Sequence, residues 1–242
     1  MRTEIQFPIR INHYLALKKI CSRREADRLI ELGKIKINGK PAVLGQLVRE
    51  TDQVFVDKKI QTGIEKNRVF LAYNKPVDIA TLATNNNEKG IADILGFKTK
   101  VFPIGRLDKD SRGLIILTND GRITDRLLNP KYEHEKEYLV TVNKKIRPGF
   151  LRHIRDGINL ENYRTKPAII EALDDNRLRI VITEGKNRQI RKMCAAFGYG
   201  VLDLKRIRIM NIRLGKLKAN EYRIIDGQEL SKFLELLGLE PI

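Results

Sequence analysis

Apolar residues recur along the chain with two different periods, and the alternation between them outlines its elements. In "CSRREADRLIELG", Ala26, Leu29 and Ile30 fall on one face at helical spacing. Ser22, followed three residues later by Glu25, forms a capping box that opens this helix, and Gly33 is placed to end it. Next, "KIKINGKPAV" alternates Ile35 and Ile37 and turns at Asn38-Gly39, a favoured pair for a two-residue hairpin. A further strand, Val54 to Val56, follows the turn-like "ETD". Residues 10–60 therefore read as a compact unit of two helices followed by small strands. "QTGIEKNR", residues 61–68, is polar and reads as a linker.

Beyond the linker, strand-like and helical patterns alternate. "VFLAYNKP" is a strand ended by Pro76, and Leu114 to Leu117 in "LIILTNDG" form an uninterrupted apolar run. A helix capped at Asn119 or Asp120 is expected to follow, carrying Ile123 and Leu127. "KEYLVTV" alternates Tyr138, Val140 and Val142 against Leu139 and Thr141, and "RLRIVITEG" is another strand. "NRQIRKMCAAFG" is a helix with Ile190, Met193, Cys194 and Phe197 on its apolar face, and "GQELSKFLELLG" closes the chain with Leu230, Phe233, Leu234 and Leu237 at helical spacing. Strands outnumber helices without a regular βαβ rhythm, so the fold class is α+β with mixed, mostly antiparallel pairing. The expected division is a small domain over 1–64 and a larger one over 65–242.

Charge changes this picture more than composition does. An apolar share of 42% in 242 residues is ordinary for a globular protein, but 47 Lys and Arg against 30 Asp and Glu leave +17. Such an excess points to a polyanionic partner. The basic residues are spread along the chain rather than gathered on one amphipathic helix, which favours nucleic acid over an anionic membrane. Arg23, Arg24 and Arg28 lie off the apolar stripe of their helix. Taken alone they would be a solvated face; at a helix start, where the macrodipole disfavours cations, and in so basic a chain, they suit phosphate oxygens. Two cysteines, Cys21 and Cys194, are too few for a disulfide framework and read as reduced core thiols. "MRTEIQFPIR" carries Glu4 and lacks an apolar h-region, and no apolar run approaches membrane-spanning length. A cytoplasmic location is expected.

The densest chemistry is in "VFPIGRLDKDSRGLIILTNDG", where Asp108 and Asp110 stand beside Arg106 and Arg112 just ahead of the apolar run. A solvated turn, a metal site and a catalytic carboxylate all fit that local pattern. His13, His134 and His153 are scattered, and neither cysteine has a ligand at zinc-like spacing. In aspartate-based phosphatases the apolar strand precedes the Asp-x-Asp pair, whereas here it follows. Neither a Walker-type loop nor a dinucleotide fingerprint is present. What remains is a carboxylate flanked by cations, able to serve as nucleophile or base without a cofactor.

"GRLDKDSRGLIILTNDG", "HEKEYLVTV" and "GKNRQIRKM" resemble, in this order, three motifs of the pseudouridine synthases of the RsuA/RluB/E/F group. "RINHYLALKKICSRREADRLIELGKIKINGK" resembles the S4 (α-L-like) RNA-binding domain carried at the N-terminus of these enzymes. The resemblance covers almost the whole chain. It implies an S4 domain followed by a catalytic domain that converts uridine to pseudouridine: the N1–C1′ bond breaks, the uracil rotates, and C5 joins C1′. Asp108 is then the catalytic aspartate, attacking C1′ or assisting a glycal intermediate by taking a proton from C2′. Tyr138 stacks on the flipped base and relays the proton leaving C5. Lys186 aligns with the basic residue that pairs with the aspartate, a task that Arg188 or Arg191 could share. Arg106 takes part in filling the place the base vacates, and Arg23, Arg24 and Arg28 join Arg188 and Arg191 in holding RNA. Asp110 and Ser111 hold the loop. The implied partner is a stem-loop of 23S ribosomal RNA, with no cofactor, no metal, no membrane and a monomeric enzyme. The alternatives are a synthase for a 16S or another 23S uridine, and an S4-type RNA-binding or ribosome-assembly factor without catalysis.

Overall fold

The computed structural model describes residues 6–18, 20–56, 68–83 and 89–240. All but Arg68 of the linker read at 61–68, and with it the 64/65 boundary, lie outside the described residues. The chain separates into two compact units, residues 1–68 with 119–123 and 242, and residues 69–118 with 124–241.

In the first unit β1 (Ile9–Arg10) leads into α1 (Ile11–Leu17) and α2 (Arg23–Glu31), followed by β2 (Ile35–Ile37), β3 (Lys40–Pro41), β4 (Leu47–Val48) and β5 (Val54–Val56). The strands pair antiparallel as β3-β2-β5 and β1-β4. Ala26, Leu29 and Ile30 of α2 are buried with Ile11, Leu15, Ile35 and Ile37, so the helical stripe and the hairpin alternation share one core. The hairpin turn has positive φ at both Asn38 (50°) and Gly39 (79°), the conformation for which an Asn-Gly pair is suited. The capping box forms by half. Ser22 Oγ accepts the Glu25 N–H at 3.2 Å, but the Glu25 carboxylate accepts from Arg28 Nη2 at 2.6 Å and Nε at 3.1 Å. A guanidinium one turn away offers two charged donors, which outweigh a single backbone amide.

The second unit is built on a nine-stranded sheet with the order β12-β13-β9-β14-β8-β6-β16, β7 and β15 lying beside β8 and β14. Its strands are β6 (Phe70–Lys75), β7 (Phe102–Ile104), β8 (Arg112–Thr118), β9 (Lys136–Val142), β12 (Ile169–Ala172), β13 (Arg177–Ile182), β14 (Val201–Ile209), β15 (Ile212–Arg213) and β16 (Tyr222–Ile224), with a separate hairpin of β10 (Asn159–Leu160) and β11 (Tyr163–Arg164). The helices are α3 (Ile91–Ile94), α4 (Ile123–Leu128), α5 (Pro148–Asp156), α6 (Gln189–Ala195) and α7 (Gly227–Leu236). Among the described residues β14 with β8 is the parallel pair of this sheet; the other pairings are antiparallel. The structure thus has the mixed, mostly antiparallel sheet the sequence predicts.

Leu114 to Leu117 are all fully buried, so both faces of β8 are covered, Ile115 and Leu117 packing in one cluster with Ile91 and Val101, which is why the run does not alternate. The parallel contact has a steric condition at Gly113. A Cβ there would lie 2.2 Å from the Arg206 carbonyl oxygen, and φ is +105°. No other residue type fits so close a backbone approach. Arg206, itself buried, donates Nε–H to the Leu114 carbonyl at 2.7 Å across the same junction. The helix expected to be capped at Asn119 or Asp120 opens only at Ile123. The Asp120 carboxylate accepts the Arg122 backbone N–H at 3.1 Å and its guanidinium at 2.7 Å, completing a turn instead of a cap.

Candidate active site

The apolar run of β8 anchors one end of the loop 105–111, and two buried groups fix its path. β6 ends at Lys75 because Pro76 has no N–H to continue the ladder. Lys75 pairs in register with Gly113, so its side chain lies under the loop. Its Nζ, wholly buried, donates to the carbonyls of Ser111 (2.7 Å), Pro76 (2.8 Å) and Lys109 (3.4 Å). Burial brings the Lys75 ammonium down to about 8, opposed by the charges of Asp110, Asp108 and Asp78. The buried Thr81 hydroxyl donates to the Leu107 carbonyl at 2.7 Å and accepts the Leu107 N–H at 3.1 Å. Both backbone groups preceding Asp108 are thereby satisfied by one side chain. At the start of β8, Arg112 forks onto Asp203 of β14 with two contacts of 2.7 Å.

This frame presents Asp108 and Asp110 at the surface, their side chains one-third and nearly one-half exposed. Arg188, at the start of α6, faces both. Its Nη1 lies 3.6 Å from Asp108 Oδ2, and its Nη2 and Nη1 donate to Asp110 Oδ2 and Oδ1 at 2.9 and 3.3 Å. Arg191, one turn along α6, places Nε 3.3 Å from Asp110 Oδ2, and its Nη2 donates to the Asp110 carbonyl at 2.9 Å. The Arg188 hydrogen bonds chiefly, together with the Arg191 charge, hold the Asp110 carboxyl below the usual carboxylate range. Buried Glu184 and Gln189 shape the approach to α6. Gln189 donates to Glu184 at 2.6 Å and accepts the Lys186 N–H at 3.0 Å.

Lys186 sits near this cluster in sequence, but its Nζ lies 3.5 Å from the centre of the Tyr163 ring, a cation–π contact with the β10–β11 hairpin. The cation found against Asp108 is Arg188. Tyr138 is buried on β9 in one apolar cluster with Leu107, the residue before Asp108. Arg106 is exposed on the loop itself. In the N-terminal unit Arg23, Arg24 and Arg28 are all exposed, Arg28 also pairing with Glu25 at 2.6 Å. Lys75 and Thr81 did not emerge from sequence reasoning. The available signal was a lysine ending an otherwise apolar strand, "VFLAYNKP". Cys21 and Cys194 are buried free thiols, each pushed up to about 12 by burial, as core cysteines are. Among the described residues no group of three or more His, Cys, Asp and Glu is arranged to hold a metal, and no helix is long and apolar enough to cross a membrane.

A carboxylate one-third exposed on a loop pinned by buried donors, with a guanidinium beside it, fits nucleophilic or base chemistry. Comparison with known proteins decides the class. The family model described as RNA pseudouridylate synthase matches residues 69–196, and that of the S4 domain matches residues 9–54. The chain belongs to the RNA pseudouridine synthases. Asp108, Tyr138, Lys186, Arg188 and Arg191 all fall in the synthase match, and Arg23, Arg24 and Arg28 in the S4 match.

Among individual synthases, the chain is 41% identical over 230 residues to the dual-specificity RNA pseudouridine synthase RluF of Escherichia coli (strain K12), covering 95% of this chain and 79% of that one. It is 33% identical over 235 residues to the ribosomal large subunit pseudouridine synthase B of Bacillus subtilis (strain 168), covering 94% and 96%. A crystal structure of a pseudouridylate synthase superposes with a TM-score of 0.68 at 29% identity, covering 95% of this chain and 99% of that one. These matches place the chain with the RsuA/RluB/E/F type, an isomerase built from an S4 domain and a synthase domain.

Proposed function

We propose that this synthase isomerises a specific uridine in a stem-loop of 23S ribosomal RNA, with Asp108 as the reacting carboxylate. The observation that carries the reading is the placement of Asp108: its loop is pinned from below by Lys75 and Thr81, and Arg188 lies 3.6 Å from its carboxylate. The large-subunit assignment draws on the relative whose name gives that substrate, synthase B of Bacillus subtilis.

The reaction adds and removes no atoms, so the residues need only break one glycosidic bond, hold the freed uracil and let it rejoin. A uridine in a stem must leave the stack first, at a cost of a few kcal/mol. Arg106, exposed on the same loop as Asp108, fills the vacated place. Asp108 attacks C1′ or removes the C2′ proton. Tyr138, in the same apolar cluster as Leu107, supports the rotating base and relays the C5 proton. Arg188 stabilises the charged carboxylate, Arg191 holds the loop, and Lys186 with the exposed S4 arginines Arg23 and Arg24 meets phosphates. The enzyme acts as a monomer in the cytoplasm.

The dual specificity in the name of RluF favours a second reading in which one active site serves two RNAs sharing a stem-loop shape. Pseudouridine profiling of total RNA from a deletion strain tests both. Loss of one 23S position supports the first reading, and a concurrent loss in another RNA supports the second. An unchanged 23S profile would contradict both.

A further inference from the structure

Asp110 receives more of the cationic surroundings than the reacting carboxylate does. Two arginines converge on it: Arg188 through both terminal nitrogens, at 2.9 and 3.3 Å, and Arg191 through Nε at 3.3 Å. Among the described residues, the Asp108 carboxylate has only the longer Arg188 contact, at 3.6 Å, beyond hydrogen-bonding distance. A guanidinium gripped through two nitrogens by one carboxylate has its plane fixed, so where Arg188 Nη1 points is set by Asp110. The backbone shows the same constraint. Arg188 has φ +50°, in the left-handed region where an arginine is uncommon and is held by tertiary contacts. Its side chain is nearly half exposed, and without Asp110 it would be drawn toward solvent or directly onto Asp108.

We propose that Asp110 is a positioning residue for the isomerisation. By holding Arg188, it keeps a cation beside Asp108 without letting that cation occupy the carboxylate oxygens that must reach the ribose. The shared guanidinium supplies charge, while the loop geometry leaves Asp108 unblocked. This rests on Asp108 being the reacting group, and the two claims fail separately: activity in Asp108→Asn removes the foundation, whereas the test below addresses Asp110 alone.

The test is a double-mutant cycle on the single-turnover rate with a saturating RNA stem-loop, alongside RNA affinity. Asp110→Asn keeps the shape and drops the charge; about a tenfold loss in rate is expected, with affinity within about twofold, a coupling typical of contacting residues. Because Asp110 acts through Arg188, the double variant Asp110→Asn/Arg188→Gln should be no slower than Arg188→Gln alone. A role confined to loop structure would instead make the losses multiply, and that result would overturn the proposal, as would full activity of Asp110→Asn. If Asp110→Asn does not fold, Arg188→Lys carries the test, since it keeps the charge but cannot form the fork. About a tenfold loss in rate with affinity retained is then expected, and wild-type turnover would overturn the proposal.

Discussion

Lys75 Nζ donates to the Ser111 carbonyl at 2.7 Å, joining the last residue of β6 to the end of the loop that carries Asp108. Its contacts with the Pro76 and Lys109 carbonyls make one buried ammonium the common donor for three backbone oxygens, that of Lys109 also accepting the Asp78 N–H at 2.8 Å. The loop is therefore held from within the protein as well as by its own Ser111 N–H to Asp108 carbonyl hydrogen bond at 3.0 Å.

Replacing Lys75 with Met should remove the ammonium donor from the Ser111 and Pro76 carbonyls, costing about 2–3 kcal/mol of stability and disordering the Asp108 loop. The pH dependence has a definite sign. The folded-state pKa of Lys75, about 8, lies below the usual 10.5, so between these values the unfolded chain binds the extra proton. Wild-type stability should therefore rise relative to Lys75→Met as pH increases through that window, by up to about 1.4 kcal/mol per pH unit. Denaturant midpoints of the two proteins from pH 7.5 to 10 check it; parallel curves would show that this lysine is not the titrating group.

Arg23 and Arg24 stand exposed at the start of α2, while Arg28 is already paired with Glu25. The double change Arg23→Ala/Arg24→Ala should weaken RNA binding and reduce the slope of log K against log salt by about one to two, as expected when two phosphate contacts are lost. Arg28→Ala should alter the slope less. Filter binding across a salt series measures both, and an unchanged slope would make these arginines an ordinary solvated face.

Arg188 and Lys186 are two residues apart, yet only Arg188 is directed at Asp108. Arg188→Gln should lower the single-turnover rate about tenfold or more, whereas Lys186→Gln should change it by about threefold at most and act mainly on RNA affinity. The reverse order of effects would mean that Lys186 leaves Tyr163 and reaches Asp108 when RNA is bound.

Much of the architecture was legible because burial writes its period into the sequence. The stripe of α2, the alternation of β2 and the unbroken run of β8 each reflect how many faces the element buries. What periodicity does not carry is which elements meet. The parallel pairing of β14 with β8 depends on the missing Cβ of Gly113, a single position with no pattern around it. Two-residue strands such as β1 and β4 are too short for any period. The motif residues around Asp108 were legible as a cluster, but their pairings were not. Glu25 turns to Arg28 instead of closing the capping box, and Arg188 rather than Lys186 faces Asp108, because side-chain reach and backbone conformation settle such choices. Lys75 and Thr81 were missed for a related reason: each supports a loop distant in sequence.

The most direct measurement is tritium release from an RNA stem-loop labelled at C5 of uridine, comparing the wild type with Asp108→Asn. The substitution keeps the size and surroundings of the side chain and removes the charged nucleophile or base. Release should fall to background while RNA affinity remains within about twofold, because Asp108 is assigned to chemistry and not to binding. Release at the wild-type rate by Asp108→Asn would contradict the account.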